Sequence, residues 1–310
     1  MRVSSKVTAA FKQVPIADYL AARFTYRSLD GWRELVSDGR VFCNDLPGQA
    51  DTLVTQGDVV ACDLPDFTPA SVNFDYTIIY EDEWLLGINK PAGLRVHSLG
   101  KFVTANLMYH LRYQHQPPYP EAQLVNRLDA HTSGVVVVAQ DKETVAALAR
   151  QFERGQVVKT YLAVVVGAPA AAERVIDLPI GKVAGGEITR YGVVEGGKTA
   201  VTHYRVLQTF GREYALLELR PHTGRTHQLR VHLAALGHRI VGDALYAMDD
   251  AAYLAWRQEG RHQGEMALIA RQALHCAATE LVHPANGRIV QLTAPLPADM
   301  IELLGKLQRP

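Results

Sequence analysis

Residues 135–139 read Val-Val-Val-Val-Ala, and so short and unbroken a run of mostly β-branched residues fits a strand buried within a sheet better than a helix. The segment that leads into it, QLVNRLDAHTSG at 123–134, carries Arg127 and Asp129 on either side of one leucine, followed by Thr132, Ser133 and Gly134 as a turn. Bare charges beside a buried strand cost several kcal/mol unless they are paired or employed. If the segment is extended, Arg127 and Asp129 point to the same face.

Further strand patterns follow the same logic. YTIIY (76–80) and WLLGINK (84–90) flank the acidic turn 81–83 as a hairpin, and strands are expected at 159–167, 199–208, 213–221, 274–282 and 288–294. Helical spacing appears at 104–114 and 142–155 in this region. Strands that outnumber helices, without βαβ alternation, predict an α+β fold on a mostly antiparallel mixed sheet. Upstream, VPIADYLAARF and SLDGWRELVSDG predict two helices, the second stopping at Gly39, followed by strands RVFCN and GDVVACDL. A linker rich in Pro and Asp, residues 64–75, then separates residues 1–70 from 71–310 as two domains.

With 310 residues, 48% of them apolar and 21% charged, the chain has the make-up of a soluble globular protein. MRVSSKVTAAFKQV lacks the apolar core of a signal peptide and no stretch of about 18 apolar residues occurs, so a cytoplasmic protein with no membrane partner is expected. Cys43, Cys62 and Cys276 stand far apart, which suggests neither a disulfide framework nor a zinc knuckle. The formal net charge of zero does not advertise a nucleic-acid binder. The balance is local, however: residues 220–239 hold four arginines and four histidines and no acid. By charge alone this is a solvated basic helix face. Helical spacing puts Leu229, Leu233 and Leu236 on its apolar side, with Arg225 at the amino end and Gly237 as the cap. The histidines have no acidic or cysteine partner at zinc-like spacing, so no metal is expected.

Two resemblances give these patterns a meaning. Tyr19-Leu20, Trp32, Leu35-Val36, Gly39-Arg40-Val41, Asn44 and Gly57-Asp58-Val59 resemble an S4-like RNA-binding module over residues 1–70. That stretch nevertheless carries seven Lys/Arg against nine Asp/Glu, a balance that leaves a structural or docking role open. Over residues 76–300, EDEWLLGINKPAGLRVH, NRLDAHTSGVVVVAQ, KTYLAVVVG and LELRPHTGRTHQLRVHLAALGHRIVGDALY, in that order, are similar to the RluA-type family of pseudouridine synthases. The resemblance implies that family's mixed sheet with a central cleft and its reaction, the isomerisation of uridine in structured RNA (ribosomal RNA first, transfer RNA second) by a monomer without a cofactor. It also implies that Asp129 is the reactive carboxylate, Tyr161 the active-site aromatic, and Arg225 the cation that holds Asp129 ionised.

Arg127 is expected to support the backbone or a phosphate, Lys159 and Arg230 to contact RNA, and His227 and Gln228 to orient the site. The chain departs from the family's usual His-Arg-Leu-Asp-Arg at Asn126 and at Ala130-His131, which puts the RNA target rather than the reaction in doubt. The competing reading is a catalytically silent RNA-binding or assembly factor on the same fold. A deaminase is excluded, because the H-x-E and P-C-x-x-C signatures are absent.

Overall fold

Local sequence decides where the first helices start. Pro15, at the end of β2 (Val14–Pro15), leads directly into α1 (Ile16–Arg23), and the Ser28 hydroxyl accepts from the Gly31 amide at 3.2 Å to cap α2 (Leu29–Ser37). Gly39 ends that helix with φ +67°. Around them lie β1 (Arg2–Lys6), β3 (Val41–Cys43), β4 (Leu46–Pro47), β5 (Leu53–Val54) and β6 (Val59–Asp63), with β1-β6-β3-β4 forming one sheet. Tyr19, Leu20, Trp32, Leu35, Val36 and Val41 fill a single core here. Asn44 crosses to the Gly57-Asp58 turn, donating to Asp58 at 2.9 Å and accepting from the Val59 amide at 2.8 Å. Nearly every residue singled out in this stretch thus serves packing or a turn.

The computed structural model describes residues 2–24, 27–64, 71–98, 102–259 and 264–308. Residues 65–70 of the expected linker lie outside them. Two units emerge, residues 1–72 with 97–110, and residues 73–96 with 111–310. No helix among the described residues is long and apolar enough to cross a membrane.

The second unit is built on a ten-stranded mixed sheet. In chain order it uses β7 (Thr77–Glu81), β8 (Leu85–Lys90), β9 (Gln123–Leu124), β10 (Ser133–Ala139), β11 (Val158–Val166), β12 (Glu173–Asp177), β15 (Val201–Phe210), β16 (Tyr214–Pro221), β17 (Leu274–Val282) and β18 (Ile289–Thr293). The hairpin β13 (Ile180–Lys182) and β14 (Tyr191–Val193) stands apart. Helices α3 (Leu107–Tyr113), α4 (Lys142–Glu153), α5 (Gln228–Ala235), α6 (Ala244–Ala247), α7 (Asp250–Glu259) and α8 (Ala298–Leu307) complete the chain. The spatial order is β12-β15-β16-β11-β17-β10-β8-β7, with β18 on β17 and β9 on β10. All seven residues of β10 are buried, as its composition predicts. Beside β10 the sheet forks: β17 pairs with it in parallel at only two positions, Ser133 with His275 and Gly134 with Cys276, while β11 lies antiparallel on the other side of β17. Gly134 is required there. Its φ is +109°, and a Cβ would stand 2.1 Å from the Cys276 carbonyl oxygen.

Candidate active site

The loop before β10 places Asp129 at the mouth of this fork. Residues 127–129 lie between β9 and β10, outside the named strands, and Arg127 and Asp129 both line the cleft. Arg127 is exposed, whereas Leu128 is buried between the two charges. Asn126, at the position where the family resemblance expects histidine, accepts from the Val137 amide at 2.7 Å and fastens the loop to β10. The turn closes when the Thr132 amide donates to the Asp129 carbonyl at 3.1 Å.

Lys90 supports the loop from behind. It is fully buried, and its ammonium donates to the carbonyls of Pro91 at 2.8 Å, Leu94 at 2.9 Å and Ala130 at 3.0 Å. Burial, then the nearby Arg271 charge, pulls its pKa down to about 7, with Asp129 acting in the other direction. Between about 7 and the unfolded value of 10.5, the unfolded chain binds more protons than the folded one, so Lys90 makes stability rise with pH across that window. Urea unfolding from pH 7 to 9 is therefore expected to show wild type gaining on Lys90→Met by up to about 1.4 kcal/mol per pH unit. Parallel pH profiles would mean that Lys90 keeps its proton throughout.

In front, Arg230 holds the carboxylate. Its Nη1 donates to Asp129 Oδ2 at 3.0 Å, while Nε and Nη2 grip both oxygens of Asp243 at 2.7 and 2.8 Å. Tyr246 lies under the guanidinium, 5.0 Å from ring centroid to Cζ. Burial opposes the Arg230 charge, but Asp243 and Asp129 outweigh it and raise its pKa above the ordinary arginine value. His227 adds a weaker approach, Nε2 to Asp129 Oδ2 at 3.8 Å, with Nδ1 hydrogen-bonded to the Tyr246 hydroxyl at 3.0 Å. Burial and the Arg230 charge lower the His227 pKa, so the ring is neutral near pH 7. Among the described residues, both contacts fall on Oδ2 and leave Asp129 Oδ1 without a partner.

This geometry corrects the choice of arginine. Arg225 does not pair with Asp129: it is exposed and donates from Nε to the Thr199 carbonyl at 3.0 Å. His227 is left-handed at φ 57° and delays the helix to Gln228, which puts Arg230 rather than Arg225 in the first turn of α5. The segment is also not a solvated basic face. Arg230 and His232 are buried, the latter between Thr202 Oγ1 and the Leu178 carbonyl, both at 3.0 Å. Arg230 is buried, with three of its five N–H groups on the two carboxylates.

Asp129, Arg230 and Tyr161 line one cleft of about 460 Å³, together with Arg127, Phe152, Lys159, His222 and Arg225. Tyr161 is buried, and burial, then Cys276 and Asp129, pushes its hydroxyl well above the usual range, so it is a neutral phenol. Lys159 reaches the Thr223 carbonyl at 3.5 Å, and burial lowers its pKa. Gln228 faces the cleft but is fully committed to the protein: it accepts from Thr223 Oγ1 at 2.7 Å and the Arg225 amide at 3.0 Å, and donates to Val201 O and Thr202 Oγ1, both at 2.9 Å. It shapes the 223–227 loop. No group of three His, Cys, Asp or Glu side chains among the described residues could hold a metal ion.

The family profile described as RNA pseudouridylate synthase matches residues 85–235, a span that contains Lys90, Asp129, Tyr161 and Arg230. A ribosomal large subunit pseudouridine synthase D of Pseudomonas aeruginosa is 34% identical over 304 residues, covering 95% of this chain and 91% of that one. The chain belongs to the RNA pseudouridine synthase family. An uncharacterized RNA pseudouridine synthase of Bacillus subtilis is 37% identical over 257 residues, covering 81% of this chain and 80% of that one. The solved structure of human RNA pseudouridylate synthase domain containing 4 is 31% identical, with a TM-score of 0.58 over 74% of this chain and 92% of that one. The enzyme's site also uses residues that sequence reasoning passed over: Lys90, Asp243 and Tyr246. One signal was available for Asp243. A buried arginine needs an acid, and the nearest one after the acid-free stretch 220–239 is Asp243 itself.

Proposed function

We propose that this synthase isomerises uridines of structured RNA, ribosomal RNA first, with Asp129 as the nucleophilic carboxylate and without a cofactor. The observation that carries the reading is the single-point grip of Arg230 on Asp129 Oδ2, which anchors the carboxylate in the cleft and, among the described residues, leaves Oδ1 open. In the reaction the bond from N1 to the ribose C1′ breaks, a bond from C5 to C1′ forms, and a proton leaves C5 while N1 gains one. The carboxylate either adds covalently or assists the departure of the uracil. Arg230 stabilises its charge throughout. The base must leave its stack to arrive here, and the Tyr161 ring provides a face against which it can lie.

The family relationship to ribosomal large subunit enzymes supports ribosomal RNA as the substrate class, and transfer RNA comes second. Mapping pseudouridines in cellular RNA with and without the protein tests both. A site lost on deletion and restored by the purified enzyme is expected. No change at any uridine would favour the silent RNA-binding factor.

Tyr161→Phe separates ring from hydroxyl. RNA binding is expected to persist while turnover falls by about 100-fold, the range of a lost proton donor or acceptor. Wild-type turnover in this variant would take the hydroxyl out of the chemistry.

A further inference from the structure

Asp129 and Arg230 stand on separate segments, a loop and a helix 101 residues apart, and one short stretch outside the profile match touches the supports of both. Arg271, just before β17, is 6% exposed. Its Nη1 donates to the carbonyls of Gln272 at 2.9 Å, Leu274 at 3.1 Å and, at 3.4 Å, His131, two residues beyond Asp129. Gln272 adds a bond from Nε2 to Thr132 Oγ1 at 3.1 Å. The opposite side of the same stretch lies against the turn that holds Arg230. Gly242, at φ +77°, comes so close that a Cβ would stand 2.0 Å from the Arg271 carbonyl oxygen, and the Ala273 amide donates to the Val241 carbonyl at 2.8 Å. The next residue is Asp243, which takes two of the Arg230 donors. Residues 271–273 are therefore the spacer between the Asp129 loop and the Asp243 turn.

The orientation of Arg271 is fixed from a third direction. Its Nε and Nη2 donate to the two oxygens of Asp299, in the first turn of α8, at 2.6 and 2.8 Å. Asp299 Oδ1 is itself anchored by the Met300 amide at 2.8 Å. The Arg271 charge is felt at the buried Lys90, whose ammonium bonds the neighbouring Ala130 carbonyl. A bidentate carboxylate both offsets that charge and fixes the plane of the guanidinium. We propose that Asp299 is a positioning residue for catalysis: by holding Arg271 it sets the separation of Asp129 from Arg230. The proposal rests on the assignment of the chemistry to Asp129.

The test uses the full chain carrying Asp299→Asn or Asp299→Glu, with Arg271→Lys as a second route should either fold poorly. Two readouts are needed: kcat and KM on an RNA identified by mapping, and hydrogen exchange of the Gly93 and Thr132 amides, which bond to the Ala130 and Asp129 carbonyls. Asp299→Asn is expected to lower kcat by about tenfold with KM unchanged, since small misplacements remote from the reacting atoms act on the rate, and to speed exchange of both amides. Asp299→Glu is expected to recover part of kcat. An unchanged kcat, or a change confined to KM, would overturn the proposal. If Asp129→Asn kept full turnover, the assignment of the chemistry would fall instead, and the exchange readout would decide alone: faster exchange upholds the support of the loop by Asp299, and unchanged exchange overturns it.

Discussion

An Asp129→Asn protein is expected to fold, bind RNA and form no pseudouridine above background. Asn has nearly the volume of Asp, and its side-chain oxygen can still accept the one N–H that Arg230 offers at 3.0 Å. Charge is all that is lost. Neither covalent addition nor stabilisation of the departing uracil can proceed on a neutral amide, so the rate should drop by about 1000-fold or more. The unfolding midpoint should barely move, since the carboxylate is one-third exposed and no buried partner is orphaned while Asp243 still satisfies Arg230. Pseudouridine measured by mass spectrometry, on protein checked for deamidation back to Asp, decides the matter. Turnover within tenfold of wild type would remove Asp129 from the chemistry.

Arg230→Ala is expected to damage stability and turnover together, which distinguishes it from the previous variant. The Asp243 side chain is 1% exposed and would be left as a buried charge without its cation, a change that costs about 3–5 kcal/mol. Asp129 loses its anchor in the same step. Arg230→Lys should fall between, because a single ammonium cannot span two carboxylates as the guanidinium fork does. Arg225→Ala should leave turnover within a few-fold of wild type and stability little changed, since its exposed guanidinium bonds, among the described residues, to the Thr199 carbonyl alone. Urea unfolding and turnover of the three variants form one experiment. A stable Arg230→Ala protein beside an inactive Arg225→Ala one would reverse the assignment of the two arginines.

The confusion between those arginines shows where sequence stops being legible. The strand at 133–139 was readable because its apolar run has one comfortable structural answer. Asp129 and Tyr161 are picked out by the motifs of the family resemblance; alone they would read as a turn aspartate and a strand tyrosine. The choice between Arg225 and Arg230 depends on where α5 begins, and that is set by the left-handed backbone of His227, which no spacing of charges reveals. Lys90 looked like the polar end of a strand. Its burial depends on carbonyls delivered by residue 130, forty positions away, so its role exists only in the folded chain. Strands β12, β13 and β14 were missed for the opposite reason: they are short and only Ile176 and Ile180 among their residues are buried, so alternation has little to act on.

The two-residue parallel contact between β10 and β17 also governs when the enzyme can exist during its own synthesis. Ser133 must wait for His275, and His131 for Arg271, 140 positions later. A ribosome adds about 5–20 residues per second, so the interval is on the order of ten seconds. Throughout it Ser133 and Gly134 at the start of β10 lack their strand partners and the Asp129 loop lacks its spacer. The support of the Asp129 loop is thus incomplete until residue 271 has been made and folded in.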